Sequence, residues 1–165
     1  MNFYGVDRSV DSTRLAGVRY DGSAQSIEEA LVDASNLVAR EGGKPDVCIM
    51  GYASFSALLK ALGTKVQYID AKVGDISFRG VQIVGANSEI RVFPDRNCPQ
   101  LTAYLLDMST WELMSLGDAP HIDTQFDGLE MLRVYNQDAG EVRIKAYLNL
   151  ACNAPGWNAV VTLQA

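Results

Sequence analysis

The chain has 165 residues, 48% of them hydrophobic and 21% charged, enough for one ordinary domain with a sizeable core. Its formal net charge of −6, with basic residues spread rather than clustered, argues against broad electrostatic binding to nucleic acid. No apolar run nears the roughly 18–20 residues of a membrane span, and Met1-Asn2-Phe3-Tyr4-Gly5 lacks the basic and apolar stretches of a secretory signal.

Residues 1–25 are rich in Asp, Ser, Arg and Gly and read as an extended lead-in that buries too little to fold alone. Ser26-Ile27-Glu28-Glu29 is a capping-box pattern and opens a helix over 26–41. Ile27, Ala30, Leu31, Ala34, Leu37 and Val38 form its apolar stripe, and Gly42-Gly43 with Pro45 end it. Asp46–Met50 reads as a short buried strand. A second helix over 54–62 follows, with Phe55, Leu58, Leu59 and Leu62 on its buried face and Gly63 at its end.

From Lys65 the period changes to two. Strands are expected at 66–69, 76–78, 81–84 and 90–93, separated by Gly74, Gly80 and Gly85 and closed by Pro94; another is expected at 103–108. Residues 110–116 fit either a short helix or a strand, and 117–128 read as a loop. A long hairpin is then expected, with strands over 129–136 and 141–150 and its turn at Gln137-Asp138-Ala139-Gly140. The second strand alternates cleanly, Val142, Ile144, Ala146, Leu148 and Leu150 against Glu141, Arg143, Lys145, Tyr147 and Asn149. Residues 160–163 read as a last short strand.

Groups able to do chemistry are few. There is one histidine, His121, and there are three scattered cysteines, Cys48, Cys98 and Cys152. No phosphate loop, nucleophile elbow or metal-spaced cluster is present. Cys48 sits in an apolar run and reads as a buried thiol; free thiols in a reducing compartment are the expectation, with a Cys98–Cys152 disulfide as the alternative. His121 and Asp123, two apart in a loop, are too few for a metal site; a Cys98 or Cys152 pair with His121 would need a spatial contact that no signature supports. Asp7-Arg8 and Asp95-Arg96 read as weak surface ion pairs. Trp111 reads as a core residue, and Trp157 as either a clamp on the tail or an interface anchor.

The order of these segments resembles the C-terminal part of tailed-phage major capsid proteins with the Hong Kong 97-type fold. The likeness is carried by Phe3-Tyr4-Gly5-Val6-Asp7-Arg8, the helix from Ser26 to Gly42-Gly43-Lys44-Pro45-Asp46 and the strand and helix through Gly63. It continues through residues 76–83, Val92-Phe93-Pro94-Asp95-Arg96-Asn97-Cys98-Pro99, residues 104–111 and the hairpin. The resemblance implies an α+β fold: an axial-type domain over 26–126, with two helices on a mixed sheet, and a peripheral-type hairpin over 127–165. The sequence departs from that family in lacking its N-terminal arm, extended loop and spine helix, so a truncated product or prophage remnant is expected.

The expected function is a non-enzymatic structural component of an icosahedral phage or prophage head. Other copies of the capsid subunit are its partners, in the virion and, before assembly, in the host cytoplasm. No catalytic, cofactor-binding or metal residue is expected, nor a specific nucleic-acid, membrane or small-molecule partner. Residues 64–74 and 117–127 are the expected contact loops. The alternatives are a small α/β enzyme using Cys98 or Cys152 with His121, or a nanocompartment shell protein.

Overall fold

The computed structural model describes residues 2–3, 5–63, 68–73, 76–124, 128 and 130–164. In chain order the elements are β1 (Asn2–Phe3), β2 (Val6–Asp7), β3 (Val18–Asp21), α1 (Ile27–Arg40), β4 (Val47–Met50) and α2 (Tyr52–Leu62). There follow β5 (Tyr68–Val73), β6 (Ile76–Val84), β7 (Glu89–Pro94), β8 (Thr102–Leu106) and β9 (Trp111–Ser115). The chain closes with β10 (His121–Ile122), β11 (Leu132–Arg133), β12 (Gly140–Glu141), β13 (Ile144–Lys145), β14 (Leu148–Cys152) and β15 (Ala159–Thr162). These form two compact units, Met1–Thr110 with Asn153–Ala165, and Trp111–Cys152.

The first unit is built on a seven-stranded mixed sheet in the order β3-β15-β8-β4-β7-β6-β5. β8 and β6 run against the other five strands. Side chains alternate across a strand, and here one alternating set is buried throughout. Val18, Val161, Leu105, Cys48, Met50, Val92, Ile90 and Val81 all join one core with residues of both helices. The two helices therefore cover a single face of the sheet, as the sequence implied.

Helix α1 follows its sequence signals closely. The Ser26 hydroxyl accepts the Glu29 N–H at 3.3 Å and the Glu29 carboxylate accepts the Ser26 N–H at 3.2 Å, which completes the capping box. Ile27, Ala30, Leu31, Ala34 and Val38 are buried, and Leu37 packs against the core from its edge. At the other end Gly42 adopts φ +93. The Gly43 N–H then reaches the Val38 carbonyl and the Gly42 N–H the Ala39 carbonyl, so the orphan carbonyls of the last turn are satisfied. Ser35 interrupts the apolar stripe for a reason: its hydroxyl donates to the Val32 carbonyl at 2.7 Å and accepts the Ala86 N–H at 3.1 Å. Helix α2 begins two residues before its expected start, directly after Gly51, because Tyr52 and Ala53 extend it without a side-chain cap.

Several expectations need correction. Part of the predicted lead-in is strand: β3 lies parallel to β15 at the sheet edge. The predicted strands at 76–78 and 81–84 are one strand, β6, since Gly80 pairs with Ile69 instead of breaking the ladder. The expected strand at 66–69 overlaps β5, but residues 64–67 lie outside the described ones. The last short strand, expected at 160–163 within the 127–165 hairpin segment, is β15 and sits between β3 and β8 in this sheet. Residues 111–115, ambiguous in sequence, are strand β9.

The second unit corrects the predicted hairpin. Its long second strand is divided among three partners: β12 pairs with β11, β13 with β10 and β14 with β9. The main partner is thus 111–122 rather than 129–136. Between β14 and β13, residues 116–120 oppose only 146–147, so the ribbon bulges there. The hairpin turn also lies two residues earlier than expected. The Val134 N–H bonds the Ala139 carbonyl at 3.0 Å, enclosing 135–138, and Asn136 takes the positive φ of 71.

Candidate functional site

The groups singled out for catalysis are held in structural roles. His121 lies in β10 opposite Lys145, and its Nδ1 is 2.7 Å from the Asp118 carbonyl oxygen. A carbonyl only accepts, so that nitrogen carries the proton and donates locally. Asp123 is buried, and its carboxylate pairs with Lys145. Among the described residues no group of three or more His, Cys, Asp or Glu could hold a metal ion.

The three cysteines are free. Cys48 is fully buried in β4; burial pushes its thiol far above the ordinary range, with the charge of Cys98 adding to the effect. The Cys98 thiol is also raised, first by burial and then by the Asp95 charge, against a lowering backbone bond from Gly51. A reactive thiol needs the opposite shift. Cys98 belongs to the first unit, whereas His121 and Cys152 belong to the second, where Cys152 faces Trp111 at the end of the β9–β14 ladder.

Other singled-out residues also act locally. The Asp95 carboxylate accepts the Asn97 N–H, and the Asp7 carboxylate accepts the Ser9 N–H and hydroxyl. Trp157 is a clamp: its Nε1–H donates to the Glu41 carbonyl at the C-terminus of α1, 3.0 Å away. A Cβ on Gly43 would stand 2.8 Å from the Trp157 backbone, so only glycine allows this approach. Trp111 is half-buried in the second unit rather than a member of the core. The expected contact loop at 64–74 contains β5, with 64–67 and 74 outside the described residues. The expected loop at 117–127 contains β10, with 125–127 outside them.

The surfaces are more informative than the reactive groups. On the sheet face away from the helices, Ile49, Phe93, Tyr104 and Leu106 are half-buried and lie outside the core cluster. Register sets Ile49 beside both Tyr104 and Phe93, and Val47 beside Leu106. A groove of about 620 Å³ runs across this face, lined by Val47, Ile49, Tyr52, Phe93, Pro94 and Met108, with Asp46, Arg91, Asp95 and Arg96 beside them. The sequence carried a signal for it. Val47-Cys48-Ile49-Met50 is apolar without alternation, the pattern of a strand covered on both faces.

The second unit is barer still. Among its described residues only Asp123 is buried, while Leu113, Leu148 and Leu150 are all more than half exposed, at 68%, 52% and 53%. Leu113 and Leu150 sit directly opposite each other, so the ribbon presents a paired apolar stripe. Among the described residues no helix is long and apolar enough to cross a membrane.

Compared with known proteins, the chain matches the family model described as SU10 major capsid protein over residues 11–130. No curated protein matches it.

Proposed function

Because the chain belongs to the SU10 major capsid protein family, we propose that it helps form a phage head wall by associating with copies of itself. A capsid subunit is a structural component of the virion, and the family match over residues 11–130 carries the reading. The finer assignment is a fold of the Hong Kong 97 type. In it, the sheet unit, Met1–Thr110 with Asn153–Ala165, corresponds to the axial domain and the Trp111–Cys152 unit to part of the peripheral domain. The two helices on one face of a mixed sheet support that assignment, as do the bare apolar surfaces of both units.

The mechanism is shape and self-complementarity without a catalytic step. Head-to-tail contacts between identical subunits make rings when the rotation closes. The subunit folds in the host cytoplasm and is then taken up into the shell, of a phage or of a prophage. Association costs translational and rotational freedom, and modest contacts leave it weak. Light scattering of the purified chain across a concentration series tests the reading. The expected result is a monomer when dilute and a rising average mass when concentrated. A tight dimer of constant mass would overturn it. So would a hydrolytic activity abolished by His121→Ala, Cys98→Ser or Cys152→Ser.

A further inference from the structure

Strand β14 has one open edge, because it pairs with β9 alone. The Leu116 N–H bonds the Tyr147 carbonyl at 3.1 Å, and the Asn153 N–H bonds the Thr110 carbonyl at 2.9 Å. Backbone groups alternate sides along an antiparallel strand, so those of Tyr147, Asn149 and Ala151 face β9 while those of Leu148 and Leu150 face away. Among the described residues, the backbone N–H and C=O of Leu148 and Leu150 bond no partner. Such an edge fits another extended backbone, which supplies donors and acceptors at the same spacing. A two-stranded ribbon is also marginal in water, and further strands are what stabilise one.

Sheet edges are commonly guarded against pairing by charged side chains. Among the described edge strands longer than two residues, β3 has Arg19 and Asp21, β5 has Asp70 and Lys72, and β9 has Glu112. Strand β14 has none, and no charged residue follows Lys145 in the chain. The edge is also self-complementary. Turned antiparallel about a two-fold axis at Asn149, a second copy brings its Leu150 opposite Leu148 and its Leu148 opposite Leu150, so that each open donor meets an open acceptor. Cross-strand partners share a face, so Leu113, Leu150 and Leu148 of the second copy line up in one apolar row. We propose that the open edge of β14 pairs antiparallel with the β14 edge of a second copy of this chain. This rests on the reading that the chain assembles with itself, and names one contact that does so. The contact is isologous and adds to the head-to-tail contacts of a ring. It is small, so it is weak in dilute solution.

A cysteine placed on the two-fold axis reads the register. In this pairing Asn149 faces Asn149 of the second copy as a non-hydrogen-bonded pair, with Cα atoms about 4.5 Å apart and within disulfide reach. Ala151 lies opposite Tyr147 of the second copy, four residues or roughly 13 Å from the other Ala151. With Cys98→Ser and Cys152→Ser as background, Asn149→Cys treated with oxidised glutathione should give a covalent dimer on a non-reducing gel, several-fold more of it than Ala151→Cys gives. Asn149 is exposed, so Asn149→Lys should melt like the parent. It sets two ammonium groups face to face, and the gain of mass with concentration in sedimentation equilibrium should fall. If Asn149→Cys cross-links no more than Ala151→Cys, or if Asn149→Lys associates like the parent, the pairing is wrong while self-association stands. A parent that stays monomeric at every soluble concentration would instead refute the self-association beneath it.

Discussion

Replacing Trp157 separates a clamp from an interface anchor. The indole Nε1–H bonds the Glu41 carbonyl, and the side chain lies over Gly43 while remaining 38% exposed. An aromatic side chain of this size buries on the order of 150–250 Å², and truncating a partly exposed one to alanine forgoes about 100 Å² of that. At about 25 cal/mol per Å² this is about 2.5 kcal/mol, to which the lost hydrogen bond adds about 1 kcal/mol. Extended-chain areas overstate burial, so Trp157→Ala is expected to cost about 3 kcal/mol. Trp157→Phe keeps most of the packing and should cost about 1 kcal/mol, the bond alone. Urea unfolding followed by circular dichroism reads both; with a slope of about 2 kcal/mol per molar, the alanine variant's midpoint falls by about 1.5 M. The reasoning fails if Trp157→Ala unfolds at the parent's midpoint but no longer gains mass with concentration. That result would make Trp157 an anchor between copies.

Three further expectations follow from single groups. The buried Asn158 amide accepts the Asp107 N–H at 3.0 Å and donates to the Thr110 hydroxyl and the Ala154 carbonyl; Asn158→Ala strands these groups and should cost about 2–3 kcal/mol in urea titrations. Ser26→Ala removes the α1 cap and should cost about 1 kcal/mol, with Glu29→Gln costing less because an amide oxygen can still accept the Ser26 N–H. Burial raises the Cys48 thiol above its ordinary 9.0, so the unfolded chain loses that proton first as the solution becomes alkaline. Stability from this group is therefore full below pH 9 and falls above it, by about 1.4 kcal/mol between pH 8 and pH 10. Cys48→Ala should lack that increment when the two chains are compared at both pH values.

Local signals in this sequence were readable, whereas pairings across distance were not. Ser26 and Glu29 announce the start of α1, and Gly42-Gly43 its end, because a cap depends on residues three or four apart. The two-residue period of 141–150 announces a strand but names no partner, since alternation fixes which side chains share a face and not which strand lies beside them. Hence β14 and β13 pair with β9 and β10 across the 116–120 bulge, where sequence proximity had favoured 129–136. Gly80 looked like a break because glycine weakens a strand, yet a ladder on each side of a position can hold it in register. The role of Trp157 depends on a carbonyl 116 residues away in sequence, beyond the reach of any periodicity.

The second unit shows how a thin ribbon keeps one register when, among its described residues, the apolar side chains form no buried cluster. Two strands alone are marginal in water, and faces that are exposed on both sides specify register weakly. Here the apolar side chains at Leu113, Leu148 and Leu150 remain largely in solvent, and the buried position among the described residues is a carboxylate, Asp123. That carboxylate meets Lys145, whose backbone pairs with His121, two positions before Asp123. A slip of one residue would turn Lys145 to the other face and leave Asp123 buried without its cation, and stranding a buried charge is costly. Packing among the described residues therefore contributes little to the choice of register, and an ion pair contributes much. A ribbon that sets its register this way leaves the stripe of Leu113, Leu148 and Leu150 exposed, and under the proposed assembly a neighbouring copy would bury it.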